Sequence, residues 1–135
     1  LEIAAGGRRL LLPGDIERES ERRLLAAGGV RPADVVVMPH HGSATSSSAA
    51  LVEALSPRFA IATAAWRNRW GFPRPEVAGR WRSAGARVLG TGEYGALAIT
   101  LCADDRGVRV RPLRESRRRL WSPPPASAAS GTGSS

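Results

Sequence analysis

Short apolar runs alternate with amphipathic stretches along most of the chain, and this alternation predicts a layered α/β fold. Mostly apolar runs predict strands over 1–5, 9–12, 35–38, 59–63, 87–89, 96–101 and 108–110. Capping and stop residues predict helices over 16–27, 49–55 and 75–84. The β-branched run in the third strand is typical of a strand buried on both faces of a sheet.

Glycine, proline and small polar residues mark the ends of these elements. Gly6-Gly7 predicts a hairpin turn between the first two strands. Asp15 is placed to cap the helix over 16–27, and Pro75 is suited to the first position of the last helix. Loops or turns are expected over 40–48, 64–74, 91–95 and 103–107.

The length of 135 residues, or 14.3 kDa, limits the chain to one domain or part of one. We assign residues 1–113 to a partial domain and 114–135 to a basic, then Ser/Pro/Ala/Gly-rich tail that we expect to be disordered. Because the chain begins at Leu1 inside a predicted strand, we expect it to be cut from a longer protein. No apolar run reaches the roughly 20 residues of a membrane span.

Cysteine content and charge narrow the function classes. The single cysteine, Cys102, excludes an internal disulfide framework and a cysteine zinc cluster. All 20 basic residues are arginine, which a GC-rich genome alone can produce. Seven arginines and one glutamate between Arg106 and Arg119 supply +6 of the net charge of +8. The remainder is nearly neutral, so net charge alone does not indicate a nucleic-acid-binding domain.

Asp15 is the first residue that could carry chemistry. It follows a predicted strand in the sequence LLPGD, and ligands bind at this edge of layered α/β sheets. A carboxylate there can ligate one metal or bridge two. The alternative is that Asp15 is only the cap of the following helix.

His40 and His41 end the next predicted strand, in the sequence MPHHGS. Neutral imidazole is a common metal ligand, and neighbouring residues in extended chain point in opposite directions. One histidine is therefore expected to ligate while the other supports it; the alternative is a loop with two unrelated histidines. A right-handed crossover returns the chain to the same sheet edge, so Asp15 and one histidine could meet at a metal.

The stretch WRNRW, from Trp66 to Trp70, combines arginine with aromatic side chains. Such a loop suits single-stranded nucleic acid, since bases stack on aromatics and arginines meet phosphates. The alternative is that both tryptophans cover the core beneath the loop. Ser43 and Arg69 are weaker candidates for substrate contact. Hydroxyls over 45–48 could meet a phosphate, or only cap the following helix.

Four blocks together resemble one family: LLPGDIERESERRLL, ADVVVMPHHGSATSSSAALVEALSPRFAIATA, NRWGFPRPEV and GARVLGTGEYGALAI. They are similar, in order and spacing over roughly residues 1–99, to the C-terminal metallo-β-lactamase-fold domain of the ComEC family of DNA-uptake (competence) proteins. The resemblance implies the second half of an αβ/βα sandwich with a metal site at the strand ends. Family members bring single-stranded DNA across the cytoplasmic membrane, and this domain is proposed to be a metal-dependent nuclease.

Carried over by the resemblance, Asp15 matches the aspartate expected to bridge two divalent metals, zinc or manganese. His41 matches a later metal ligand, and His40 is the less favoured choice or a neighbour. The implied partners are single-stranded DNA, the missing first half of the domain and a membrane channel. The implied location is the extracytoplasmic face of a cytoplasmic-membrane protein.

Two departures from the family pattern bear on activity. The first-half motif HxDxDH is absent, so this chain cannot supply a complete two-metal site. Where the family commonly reads GHPHPEV, this chain has Phe72 and Arg74 in place of the histidines. The leading hypothesis is therefore part of a DNA phosphodiesterase that is inactive as this fragment. The alternatives are a non-catalytic DNA-binding or scaffolding module, and a metallohydrolase acting on another phosphodiester.

Overall fold

Residues 1–104 and 106–113 are described by a computed structural model, and within them seven strands and four helices follow one another as predicted for an α/β chain. The strands are β1 (Glu2–Ala5), β2 (Arg8–Leu11), β3 (Val35–Val37), β4 (Phe59–Ala62), β5 (Arg87–Gly90), β6 (Leu97–Leu101) and β7 (Val108–Pro112). The helices are α1 (Arg18–Ala26), α2 (Ala49–Leu55), α3 (Pro75–Ser83) and α4 (Thr91–Tyr94). The expected disordered tail over 114–135 lies outside the described residues.

The main sheet orders its strands β1-β2-β3-β4-β5, exactly as they occur along the chain. The hairpin β1–β2 is antiparallel, with Glu2 opposite Leu11, whereas β2, β3, β4 and β5 are parallel. Helices α1, α2 and α3 connect the parallel strands in turn. The carboxyl ends of β2, β3 and β4 therefore meet at one edge of the sheet.

The apolar residues of the sheet face two separate layers. On one face Val36, Met38 and Ala60 pack with α2 and α3, where Trp81 is fully buried. On the other face Val35 and Ile61 pack against the antiparallel pair β6–β7. Both faces of β3 and β4 are thus covered, which explains their continuous apolar sequences.

Most predicted elements differ from the observed ones by one or two residues at an end, and a few of the differences are informative. Strand β2 lies one residue earlier than 9–12, and the turn expected over 91–95 contains the short helix α4. Helix α1 begins at Arg18, so Asp15 is not its cap. The N-cap is Glu17, whose carboxylate makes no capping bond because it accepts hydrogen bonds from Thr45 and His40 instead.

Candidate functional site at the carboxyl edge of the sheet

Asp15 and His41 lie together at the carboxyl edge of the sheet. Each follows one of two neighbouring parallel strands, β2 and β3. The distance from Asp15 Oδ1 to His41 Nε2 is 3.7 Å, and both side chains are open to solvent. The meeting of an aspartate and a histidine that the crossover predicted is confirmed; their role as metal ligands stays a prediction.

The imidazole of His41 is oriented by Thr63, at the end of β4. His41 Nδ1 lies 2.9 Å from Thr63 Oγ1. When Nδ1 carries the proton and donates it to this hydroxyl, the lone pair of Nε2 is left toward Asp15. Hydrogen bonds of this kind fix the tautomer of metal-binding histidines.

His40 has a different partner. Its Nδ1 lies 3.0 Å from Glu17 Oε1, and Thr45 Oγ1 donates to the same oxygen at 2.7 Å. The Thr45 hydroxyl, followed by the hydrogen bond and charge of His40, lowers the pKa of the Glu17 carboxyl. The two histidines thus face two separate carboxylates, Glu17 and Asp15.

The two histidines do not sit in extended chain. They belong to a 3₁₀ turn over Pro39–Gly42, in which φ is 45° at His40, 56° at His41 and 84° at Gly42. Positive φ is unfavourable for residues with a Cβ, so the surrounding contacts must hold this turn. Their different partners follow from this left-handed turn rather than from strand alternation.

Gly42 is required at this turn for a second reason. A Cβ added there would lie 2.6 Å from Cβ of Pro73. The backbone N–H of Arg74 also donates to the carbonyl oxygen of Gly42, at 2.9 Å. The loop after β4 therefore packs directly on the histidine turn, and only glycine permits that approach.

The serine segment, residues 43–48, is fixed by buried hydrogen bonds. Ser46 and Ser47 are fully buried, and the Ser46 hydroxyl donates to the carbonyl oxygens of Pro39 and Ser43 at 2.7 and 3.0 Å. Ser48 caps α2 by accepting from the N–H of Leu51. The capping alternative stated for these hydroxyls is therefore confirmed for Ser48.

Glu21 is a buried residue that the sequence analysis missed. It is fully buried on α1, and its carboxylate accepts from the N–H groups of Ser47 and Ser48 at 2.6 and 2.8 Å. Glu17 and Thr63 were missed as well. The four-residue spacing of Glu17 and Glu21 places both carboxylates on one face of α1, and this spacing is the sequence signal that could have indicated these two residues. No comparable signal indicated Thr63.

Of the two weaker candidates for substrate contact, Ser43 is buried and its hydroxyl lies 2.9 Å from Thr45 Oγ1. This hydrogen bond joins two residues within the serine segment. Arg69 is exposed, and its guanidinium lies 4.4 Å from the ring centroid of Trp70. The structure therefore keeps Arg69 accessible to a ligand and gives Ser43 an internal partner.

A cavity of about 590 Å³ opens beside the histidine turn. Its walls come from the ends of β3 and β4 and from the loop that follows β4, with the lining residues His40, His41, Thr63, Ala64, Ala65, Asn68, Trp70 and Phe72. We call residues 66–72 the tryptophan–arginine segment. Trp66 and Trp70 are 41% and 57% exposed, so the alternative that they cover the core is wrong.

Asp15 and His41 fit part of a divalent metal site. Carboxylate oxygen and imidazole nitrogen are both ligands of zinc and manganese, and the pair has a free oxygen and a free nitrogen facing each other. Among residues 1–104 and 106–113, no group of three or more His, Cys, Asp and Glu side chains could hold an ion.

The fold and this pair define an α/β domain with a candidate ligand site at the edge of a parallel sheet. No family model matches the chain. It is 37% identical over 115 residues to "Competence protein ComA" of Neisseria gonorrhoeae, covering 84% of the chain and 16% of that protein. It is 31% identical over 122 residues to the uncharacterised protein YcaI of Escherichia coli (strain K12), covering 90% and 16%.

A third relative is "ComE operon protein 3" of Bacillus subtilis (strain 168), 32% identical over 97 residues, with 72% of the chain and 12% of the relative covered. The names of the Neisseria and Bacillus relatives point to the ComEC competence family. The chain spans 12–16% of the length of these three relatives. None of the helices in the described part of the chain has the length and apolar character needed to cross a bilayer.

Proposed function

We propose that this chain forms the second half of a metallo-β-lactamase-like domain that hydrolyses DNA phosphodiesters within a competence-type DNA-uptake protein. Asp15 and His41 are its contribution to a site for divalent zinc or manganese. The remaining ligands come from a preceding half-domain. Single-stranded DNA is the substrate, and the whole protein carries a membrane channel, with this domain on the extracytoplasmic face.

The observation that supports this proposal most directly is the placement of Asp15 and His41. The 3.7 Å between Asp15 Oδ1 and His41 Nε2 is a separation that two ligands of one ion can adopt. Both atoms lie at the carboxyl edge of the sheet, beside an open cavity.

The residues of the chain have distinct tasks in this function. Thr63 orients the His41 ring so that Nε2 faces the ion, while Glu17 orients His40. His40 lies on the cavity wall, where it can hold or transfer a proton in contact with substrate. A bound divalent metal supplies Lewis-acid polarisation of the phosphodiester.

The test is DNA cleavage by a longer protein that joins this chain to its preceding half-domain. With manganese or zinc, we expect cleavage of a labelled single strand, and we expect Asp15→Asn and His41→Asn each to lower it to the level of the chelator-treated protein. Glu53→Gln, which removes an exposed carboxylate on α2, is the matched control and should retain activity.

Metal binding gives a second readout that does not depend on turnover. Calorimetric titration with zinc should show weaker binding to Asp15→Asn and His41→Asn than to the Glu53→Gln control. The 135-residue chain alone should show no two-metal cleavage. Cleavage by this chain alone, or full activity in Asp15→Asn, would show that the proposed site is wrong.

The second candidate function is a DNA-binding or scaffolding module without catalysis. It is favoured by Phe72, which stands at a position where the ComEC family commonly has a histidine. The Phe72 ring packs edge-to-face on His40, with ring centroids 6.1 Å apart. Arg74 takes the other histidine position and donates to the carbonyl oxygen of Trp70. DNA binding by the longer protein without metal-dependent cleavage would favour this candidate.

A further inference from the structure

The cavity beside the histidine turn has an aromatic wall. The rings of Trp70 and Phe72 are stacked, with centroids 6.3 Å apart and an interplanar angle of 16°. Phe72 in turn contacts the ring of His40. The wall is therefore continuous with the site formed by Asp15 and His41, and a planar group resting on it would lie beside that site.

The rim of this wall is positively charged. Arg69 lies over the Trp70 ring, with its guanidinium 4.4 Å from the ring centroid. The Arg69 side chain is exposed, so its charge is accessible to an anionic ligand.

The aromatic wall is held in place by Asn68. Its amide nitrogen donates to the carbonyl oxygen of Phe72 at 2.7 Å, and its amide oxygen accepts from the N–H of Phe72 at 2.8 Å. This pair of bonds closes the loop and fixes the position of the Phe72 ring. The wall is preorganised, although Trp70 remains 57% exposed.

A ligand for this cavity must present a flat apolar face and a nearby negative charge. A cavity of about 590 Å³ lies within the range of roughly 300–1,000 Å³ that is usual for small-molecule sites. An unpaired nucleobase with its phosphates has both features, whereas a base inside a duplex has its faces covered. An apolar peptide would match the wall but would leave Arg69 without a charged partner.

We infer that the cavity is a nucleobase subsite in which an unpaired base stacks on the wall formed by Trp70 and Phe72, while the guanidinium of Arg69 leaves the face of the Trp70 ring and contacts the adjacent phosphate. This inference rests on the proposed function for its location, because it names what selects a single strand at that site. The stacking surface is formed by Trp70 and Phe72 and not by Asp15 or His41, so base recognition does not require a bound ion.

The experiment measures binding of two oligonucleotides of equal length, one of thymidylates and one of abasic sites, to the 135-residue chain. Fluorescence anisotropy in EDTA excludes hydrolysis, and an Asp15→Asn background repeats the measurement without that carboxylate. Trp70→Ala should weaken binding of the thymidylate strand by about fivefold to a hundredfold, as expected for loss of stacking on one base. Binding of the abasic strand should change little.

Trp66→Ala is the matched control, since Trp66 is also exposed and also paired with an arginine but does not line this cavity. It should leave the preference for bases over abasic sites intact. Arg69→Gln should weaken binding of both strands. It should also reduce the slope of the logarithm of the binding constant against the logarithm of the salt concentration by about 0.7. Circular dichroism of each variant checks that the fold is retained.

Equal affinity for the two strands, or a greater loss in Trp66→Ala than in Trp70→Ala, would overturn the inference. Such a result would leave the cavity to another occupant, such as an apolar peptide. Failure of the proposed nuclease is recognised separately, because base-dependent binding in EDTA would persist without cleavage. Conversely, cleavage without a preference for bases in the binding experiment would contradict the nucleobase subsite but would still support the proposed nuclease.

Discussion

Two neighbouring segments at one sheet edge differ in what holds them. The serine segment follows β3, its central residues are fully buried, and its N–H groups are bound by Glu21. The tryptophan–arginine segment follows β4, exposes two tryptophans and places an arginine against each of their rings. The first positions the histidine turn, whereas the second presents a surface. At this one sheet edge, the serine segment therefore has a supporting role, and the tryptophan–arginine segment is the part suited to recognise a ligand.

The largest expected effect comes from removing the support of the serine segment. Glu21→Ala leaves the N–H groups of Ser47 and Ser48 buried without an acceptor. We expect the free energy of unfolding to fall by about 4 kcal/mol, measured by urea denaturation. Glu19→Ala on the same helix, whose ion pairs are exposed, is the control and should cost a small fraction of this. Equal losses in the two variants would contradict the comparison.

The second prediction concerns the contact between Gly42 of the histidine turn and Pro73, which directly follows the tryptophan–arginine segment. Gly42→Ala combines a φ of 84° with a Cβ 2.6 Å from Pro73, so we expect a loss of about 3 kcal/mol in the free energy of unfolding. Gly28→Ala also changes a residue of positive φ but has open space around it, and it should cost about 1 kcal/mol. A loss no larger than that of Gly28→Ala would show that the loop does not restrict the histidine turn.

The order of elements and the meeting of Asp15 with His41 were predictable from the sequence. Apolar periodicity is a local property, and parallel strands joined by helices return the chain to the same edge. The start of α1 was not predictable from local signals. The carboxylate of Glu17 accepts hydrogen bonds from Thr45 and His40, which lie more than twenty residues away along the chain. The burial of Glu21 was missed for the same reason.

The exposure of the tryptophans was left open by the sequence. A stretch of Trp, Arg and Asn fits either a core cover or a binding surface, since composition does not fix which way a ring points. In the structure Asn68 closes the loop through two hydrogen bonds to the backbone of Phe72, and both tryptophan rings are exposed. Such a closure depends on loop geometry that periodicity does not encode.

The third prediction compares the stability effect of Trp70, on the exposed segment, with that of the buried Glu21. Trp70→Ala should lower the free energy of unfolding by about 1 kcal/mol or less, because the ring is mostly exposed and loses mainly its stacking on Phe72. Thermal denaturation followed by circular dichroism measures this effect. A loss as large as that of Glu21→Ala would mean that the tryptophan–arginine segment is structural, and the separation of roles would fail.

The smallest expected effect on stability lies where the serine segment reaches the histidine turn. The Thr45 hydroxyl is the main cause of the lowered pKa of Glu17, so Thr45→Val should raise that pKa toward its usual value of 4.5. A carboxyl whose pKa is lowered by folding adds stability above its unfolded pKa, and this is lost as pH falls through the folded value. The variant should therefore lose this contribution at neutral pH and show a weaker dependence of stability on pH below 4.5.

Carboxyl-detected NMR titration of Glu17 measures this pKa directly, and Thr100→Val on β6 is the matched threonine control. The control should leave the Glu17 titration unchanged. If Thr45→Val also leaves it unchanged, His40 alone sets the charge of Glu17, and the serine segment supports the histidine turn only through its backbone. If the pKa rises as expected, the serine segment also sets the electrostatics of His40, the histidine that lies against the recognition surface.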